Sequence, residues 1–294
     1  MDMKSFENCN VALCFSGQSR TFEQCAESVK SFFSSDKGNK YYFFGHTSNK
    51  NNYKDKKTTI NGQMPHTIEE ELDIPHLRHR LEKVYNFEKL AIENENETAK
   101  KLDWRATPLY SMMYSNFLKQ QYEVENNMMF DVVIRIRFDL CFLPGKKFEQ
   151  YVDFLIEEKT LYSNFGLHRG DFVLPNPDQT FHFGSSFTMD LVDSFYNSFV
   201  TGGFAELVNL NMHSNNCFNR VGDGALIHKW ITIKNILPIK MHTLIPFAIV
   251  RLNNKHLDYT KEFEKIKAMG TFSYVPPKNN FINTLRNKLK NNRL

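Results

Sequence analysis

The segment from Asp131 to Leu140 carries three charged side chains within an otherwise apolar run. Because side chains alternate between the faces of a β-strand, a strand here places Arg135, Arg137 and Asp139 on one face at steps of roughly 6–7 Å. Arginine matches phosphate oxygens with a planar fork of donors, and an aspartate at the strand end can hold a hard divalent cation. The segment predicts a site for a nucleotide diphosphate. The alternative is an internal Arg–Asp network on a half-solvated strand.

A small-residue loop follows the first apolar run of the chain, residues 10–15. The loop reads Ser-Gly-Gln-Ser-Arg over residues 16–20 and precedes a predicted helix. Gly17 lets the backbone approach a nucleotide closely, the helix start favours negative charge, and Arg20 can reach a phosphate. An ordinary βα turn is the alternative, because a single glycine-containing loop is a weak signal.

The elements around these residues predict the fold. Residues 40–46 form a second apolar run, so the chain opens with a βαβ unit. We therefore predict an α/β fold, a mostly parallel sheet flanked by helices in one domain of residues 1–277. Residues 47–66 are polar and without period, which predicts a surface loop within an insertion around 47–107. Residues 278–294 form a basic C-terminal tail.

Further patterns predict the rest of the chain. Pro108 opens a helix whose Met and aromatic stripe, which includes Phe117, is typical of a core face rather than a cofactor contact. We predict helices at 148–158 and 186–200, with short strands and loops at 160–185. The run 236–250 has a strand-like pattern.

Composition sets limits on partners and compartment. The net charge of +4 is too diffuse to indicate a nucleic acid partner. The five cysteines form an odd set without C-x-x-C spacing, so the sequence predicts neither a disulfide framework nor a structural zinc site. The start of the chain has no apolar h-region. We therefore expect a cytoplasmic protein.

The order of these features resembles the GT-A glycosyltransferases. The closest likeness is to proteins of viruses and marine microbes that carry an IRxRxD strand, here residues 134–139, in place of the usual DxD motif. The likeness runs from Val11 to about Arg251. It implies a GT-A-like, Rossmann-like fold and, for a viral protein, location in the host cytoplasm.

The resemblance also implies roles for particular residues. Asp139 stands for the last aspartate of DxD, and Asp223, at a predicted helix N-cap, takes the place of the acidic catalytic residue. His242 takes that of the C-terminal histidine that can ligate a metal. The residues implied to bind the nucleotide sugar are Ser16, Gly17, Gln18, Arg20, Arg135, Arg137, Asp139, Gly184 and Ser185. Helix capping by Asp223 without catalysis and a core role for His242 are the alternatives.

The activity implied is transfer of a sugar from a nucleotide diphosphate donor to an acceptor hydroxyl, with inversion if Asp223 is the general base. A divalent cation, Mn²⁺ or Mg²⁺, would bind at Asp139 and His242. The acceptor would be a glycan or a lipid-linked sugar, and residues 278–294 would make weak contact with a membrane surface. The alternative is a non-catalytic, degenerate GT-A module that binds a glycan or a protein partner.

Overall fold

A computed structural model of the chain describes residues 3–54, 67–99, 107–152, 156–157, 159–165, 177–198, 239–241, 245 and 247–249. They lie within the first of two compact units, Met1–Leu257, so the predicted boundary at residue 277 falls outside them. The helices are α1 (Phe22–Phe32), α2 (Ile74–Tyr85), α3 (Glu95–Ala99), α4 (Thr107–Glu125) and α5 (Ser186–Ser198), with a 3-10 turn at Phe148–Gln150. The strands are β1 (Met3–Lys4), β2 (Asn10–Ser16), β3 (Lys40–Ser48), β4 (Lys50–Lys54), β5 (Thr67–Glu71), β6 (Lys89–Glu93), β7 (Val132–Ile136), β8 (Leu140–Phe142), β9 (Ile156–Glu157), β10 (Leu161–Phe165), β11 (Pro177–Gly184), β12 (Ile239–Met241) and β13 (Phe247–Ile249).

Among the described residues, the central sheet has seven strands in the order β12-β10-β11-β7-β2-β3-β6. Strands β7, β2, β3 and β6 run parallel to one another. Strand β11 is antiparallel to β7 and to β10, and β12 is parallel to β10. A mostly parallel sheet in an α/β fold is thus confirmed.

Helices cover both faces of the sheet. Helix α4 packs on the face that carries Ala12 and Cys14 of β2. Side chains alternate along a strand, so Phe15 points to the other face, where its ring centroid lies 4.9 Å from that of Tyr85 in α2 and 5.2 Å from that of Phe138. Helix α1 packs beside α2. Because it is covered on both sides, β2 is apolar at almost every position, as buried parallel strands are.

The first half of the chain follows its periodic pattern closely. The predicted apolar face of α1 is buried along its whole length. Helix α2 begins where the Asp73 carboxylate accepts the His76 backbone N–H at 2.9 Å, and it ends at Asn86 in the left-handed conformation. Both are residue types that favour these positions.

Two segments differ from their predictions. Residues 50–54 were expected to lie in a loop, but they form β4 and pair antiparallel with β5. The sequence of this segment, Lys-Asn-Asn-Tyr-Lys, lacks the apolar alternation that would have predicted a strand. The predicted helix at 148–158 is wrong where it is described: a 3-10 turn at Phe148–Gln150 is followed by β9, which pairs with β1.

The arginine segment is also shorter as a strand than predicted. Strand β7 ends at Ile136, the chain turns at Phe138 and Asp139, and β8 then pairs with β13 in a separate sheet. Arg137 and Asp139 therefore lie in a connection at the sheet edge and not on one flat strand face with Arg135.

No helix in the described part of the chain has the length and apolar character needed to cross a membrane.

Candidate functional site

Three charged residues of the predicted site lie close together at the edge of the central sheet where β2 and β7 end. These strands are parallel neighbours in the central sheet. From β2 the chain continues to β3 on one side, whereas the strands that follow β7 in this sheet lie on its other side. Their carboxyl ends thus form a topological switch point, where open α/β sheets usually bind ligands.

Three charged side chains form what we call the edge cluster: Arg20, Arg137 and Asp139. Arg137 donates from Nε to Asp139 Oδ1 at 2.8 Å and from Nη2 to Oδ2 at 2.6 Å. Arg20 Nη1 donates to the same Oδ2 at 3.0 Å. The Asp139 side chain is fully buried, whereas those of Arg20 and Arg137 are 15% and 20% exposed. A buried carboxylate therefore orients two guanidinium groups that reach solvent.

The loop beside this cluster is fixed by side chains from two other elements. The Gly17 backbone N–H donates to Ser111 Oγ of α4 at 2.9 Å. The Arg20 backbone N–H donates to Asn51 Oδ1 of β4 at 2.9 Å. These two N–H groups are therefore already bonded within the protein and do not point to an anion.

Gly17 and Arg20 both adopt backbone conformations that most residues avoid. Gly17 has φ +100°, which is why glycine is needed there. A Cβ added to Gly17 would meet no atom of the described residues within 4 Å, so the loop borders space that these residues leave open. Arg20 has φ +34°, a strained value for a residue with a side chain. The bond to Asn51 helps to hold it.

The sequence placed Arg135 in the binding site, but the structure places it in the interior. Its side chain is buried, and Nε donates to Ser16 Oγ at 3.0 Å. The charge of Arg135 acts on Asp193 of α5. Arg135 projects toward the helix layer and not into the crevice because β7 is still regular at that point, with its side chains alternating between core faces.

Gly184 and Ser185 lie at the other edge of the sheet. Strand β11 runs antiparallel to β7, with Gly184 opposite Val133 and His182 opposite Arg135. Its carboxyl end therefore lies at the amino end of β7, away from the edge cluster. Gly184 is tightly packed, since a Cβ there would lie 3.0 Å from a methyl group of Thr188. The Ser185 hydroxyl accepts the Thr188 N–H at 3.1 Å, as an N-cap does.

Asp223 and His242 lie outside the described residues, so their predicted roles stay predictions. Asp139 does not fit a metal in the described arrangement, because both carboxylate oxygens accept bonds from arginines. The described residues also contain no group of three His, Cys, Asp or Glu side chains that could hold a metal ion.

The cavities differ in their relation to the edge cluster. A cavity of about 110 Å³ lies beside Arg20, smaller than the ~300–1,000 Å³ of typical ligand sites. This cavity by itself is therefore smaller than a nucleotide site. A larger groove of about 850 Å³ runs between α1 and α2. Its wall includes the ion pair in which Arg80 Nη2 donates to Glu23 at 2.7 Å and which lowers the pKa of Glu23. We interpret this groove as a solvated seam between helices.

A second ionic group, the helix cluster, lies between α4 and α5 and consists of Lys119, Glu123 and Asp190. Lys119 is fully buried, and its Nζ lies 2.7 Å from Asp190 and 3.0 Å from Glu123. The nearby Asp193 is also buried. Burial raises the pKa of Asp193 to about 8, against an opposing effect of Arg135. Asp193 is therefore mostly protonated at neutral pH.

The sequence did not single out several residues that shape this region. His46 lies at the end of β3, and its Nδ1 is 2.9 Å from Ser111 Oγ. Its place at the carboxyl end of a predicted parallel strand was a usable signal. Asn51 gave no such signal, because it lies in a polar run without hydrophobic periodicity. In the sequence, Lys119 is not distinguishable from an exposed helix lysine, because its burial depends on the packing of α5.

Comparisons with known proteins place limited constraints on the chain. No known protein family matches its sequence, and no curated protein does. Among solved structures, the chain is similar to a glycosyltransferase involved in the glycosylation of the major capsid of PBCV-1. The identity is 10% and the TM-score is 0.37, with 80% of this chain and 82% of that one covered.

Proposed function

We propose that this protein is a glycosyltransferase that moves a sugar from a nucleotide diphosphate donor to an acceptor hydroxyl. The observation that carries the proposal is the edge cluster, in which Arg20 and Arg137 converge on Asp139 at the switch point between β2 and β7. Two guanidinium groups against one carboxylate leave an excess of one positive charge. That excess stands at a sheet edge where α/β folds commonly bind nucleotides.

The geometry fits a diphosphate better than a single neutral ligand. Asp139 takes two donors of Arg137 and at least one of Arg20 and holds both side chains in place. Guanidinium groups fixed in this way bind phosphate oxygens at a smaller cost in side-chain entropy. Open space beside Gly17 leaves room for the ligand to approach.

The reaction would break the bond between the anomeric carbon and the β-phosphate oxygen. The acceptor oxygen would bond to that carbon, and its proton would pass to a base. Arg20 and Arg137 would stabilise the negative charge that develops on the departing diphosphate. We assign the base to Asp223, which makes the transfer inverting. The proposal routes no step through a cation, because both carboxylate oxygens of Asp139 already accept hydrogen bonds from arginines.

The second candidate is a non-catalytic module, and one observation favours it. Asp139 is fully buried and bonded to both arginines, which is the arrangement of a structural ion network. Such a module would keep the fold and would bind a glycan or a protein partner without turning over a donor.

A donor-hydrolysis and transfer assay separates the two candidates. The released nucleotide diphosphate is measured with UDP-glucose, UDP-galactose, UDP-N-acetylglucosamine, GDP-mannose and GDP-fucose, each with and without EDTA. We expect turnover of at least one donor and a loss of at least ~10²-fold in Arg137→Met, by analogy with the removal of one transition-state contact. The matched control is Arg78→Met, an arginine on α2 away from the cluster. If none of the five donors is hydrolysed, the transferase is rejected and the non-catalytic module is favoured.

A further inference from the structure

A groove of about 390 Å³ lies between α4 and α5, within the range of small-molecule sites. Two neighbours of the groove residues contact the end of β2 and the loop that follows it. Ser111, next to the groove residue Tyr110, accepts the Gly17 N–H. The groove residue Asp193 lies near Arg135, which bonds to Ser16. The groove is thus linked to the loop that follows β2 through Ser111 of α4 and through Arg135.

One wall of the groove is aromatic. Tyr110, Tyr114 and Phe117 follow one another along α4, and their neighbouring ring centroids are 5.7 and 5.9 Å apart. Phe117 is 44% exposed, although the periodicity of the helix predicted that it would be buried. The core-facing side of α4 is formed instead by Leu109, Met112 and Leu118. Tyr110 and Tyr114 also pack against this core, so of the three rings only Phe117 is exposed.

The remaining lining of the groove is polar, from both helices, and Asn116 of α4 carries a buried oxygen that lacks a partner among the described residues. Asn116 is 2% exposed, and its Nδ2 donates to Asp190 Oδ1 at 2.8 Å. No donor among the described residues reaches its Oδ1. A buried amide oxygen without a hydrogen bond costs free energy, so a ligand hydroxyl that donates to it would be stabilising.

The charge of this wall is close to zero. Lys119 lies 2.7 Å from Asp190 and 3.0 Å from Glu123, and the charge of Arg135 acts on Asp193. Asp193 is mostly protonated at neutral pH because burial raises its pKa. The groove therefore lacks the excess negative charge that would select a cation, but its lining combines hydrogen-bonding groups with aromatic rings.

A saccharide presents apolar C–H faces and a rim of hydroxyls, which matches these two walls. We propose that the groove binds a neutral saccharide, with a sugar ring against Tyr114 and Phe117 and its hydroxyls bonded to Asn116, Asp190 and Asp193. Aromatic side chains supply a large contact area, and carboxyl and amide groups supply paired hydrogen bonds. The identification of this saccharide as the acceptor of the transfer reaction rests on the proposed function. The binding of a saccharide in the groove does not depend on that function.

Saturation-transfer difference NMR tests the groove with methyl α-glucoside, methyl β-galactoside and methyl α-mannoside as separate probes. We expect at least one to receive saturation from the wild-type protein. Phe117→Ala should weaken its binding about tenfold because ring contact area is lost, and Phe117→Tyr should restore it. Val124→Ala is the matched control, since Val124 is a highly exposed apolar residue of the same helix outside the groove.

Three results would overturn the inference: no probe binds, Phe117→Ala binds as the wild type does, or tetramethylammonium displaces the bound probe and reveals a cation site.

Arg137→Met separates this inference from the proposed function. Saccharide binding should persist in that variant. A protein that binds UDP or GDP but none of the three glycosides contradicts the groove alone, whereas binding of a glycoside without either nucleotide contradicts the transferase alone.

Discussion

The edge cluster and the helix cluster are built in opposite ways from the same kinds of side chain. In the edge cluster a fully buried carboxylate, Asp139, lies beneath two partly exposed arginines. In the helix cluster a fully buried ammonium group, Lys119, lies beneath two carboxylates. The edge cluster therefore presents cations to solvent with an excess of positive charge. The helix cluster is covered by two helices and balanced by its neighbours.

This difference indicates which group is suited to an anionic ligand. A charge that is buried and fully paired contributes mainly to holding elements together, and its removal leaves its partners unpaired. A charge that is held in place but still reaches solvent can exchange water for a phosphate oxygen. The two clusters should accordingly respond differently to substitution.

The largest effect is expected from Lys119→Met. The change removes the cation that lies against Glu123 and Asp190 and leaves their carboxylates partly buried without it. We expect the free energy of unfolding to fall by about 3–5 kcal/mol, as when one partner of a buried ion pair is removed. Urea denaturation followed by circular dichroism measures the change.

Lys89→Met is the control for that substitution. Lys89 pairs with Glu125 at 2.8 Å on the surface, so its loss should cost at most about 1 kcal/mol. Equal losses in the two variants would mean that the helix cluster has no special structural role, and the contrast between the two clusters would fail.

A smaller effect is expected from Asp139→Asn. The amide cannot neutralise Arg20 and Arg137, and it accepts fewer of their hydrogen bonds. We expect a loss of about 1–3 kcal/mol in unfolding free energy. Asp36→Asn is the control, because the Asp36 carboxylate pairs with Lys147 at an exposed position. A variant as stable as the wild type would show that Asp139 does not organise the arginines.

The last of these effects concerns Asp193 and pH. Its raised pKa, about 8, means that the folded protein binds more protons here than the unfolded chain between about pH 4 and pH 8. Stability from this group is present at low pH and is lost as the pH rises through 8. When the pH rises from 5.5 to 9, the wild type should therefore lose unfolding free energy that Asp193→Asn does not lose. The difference in unfolding free energy should shift in favour of the variant by at least about 1 kcal/mol.

Urea denaturation at the two pH values measures this difference, with Ser194→Ala as the control. Ser194 is exposed and adjacent in sequence, and its hydroxyl donates to a backbone carbonyl. That variant should keep the wild-type dependence on pH. An Asp193→Asn variant that also keeps it would contradict the raised pKa.

The sequence predicted the layers of the fold better than the ends of its elements. The apolar runs of β2 and β3 and the amphipathic face of α1 are local patterns, and each marked its element correctly. The hairpin of β4 and β5 was missed because its strands are polar. The arginine strand was drawn too long, since the pairing of β8 with β13 depends on residues more than 100 positions apart.

The site was predictable in part for the same reason. That Arg20, Arg137 and Asp139 would meet followed from the rule that carboxyl ends of parallel strands share an edge. The placement of Gly184 failed because the sequence does not show the direction of β11, and an antiparallel strand carries its carboxyl end to the other edge. The burial of Arg135 beneath α5 depends on tertiary packing that no local pattern encodes.

The central claim is that the edge cluster binds a nucleotide diphosphate, and thermal unfolding in UDP and in GDP tests it most directly. A ligand at ten times its Kd stabilises the folded state by about 1.4 kcal/mol. In a protein of this size, each kcal/mol raises Tm by roughly 2–4 °C. We predict such a rise for at least one nucleotide with the wild type and with Arg78→Met, and its loss in Arg137→Met. No rise with either nucleotide, or the same rise in Arg137→Met as in the wild type, would contradict the claim.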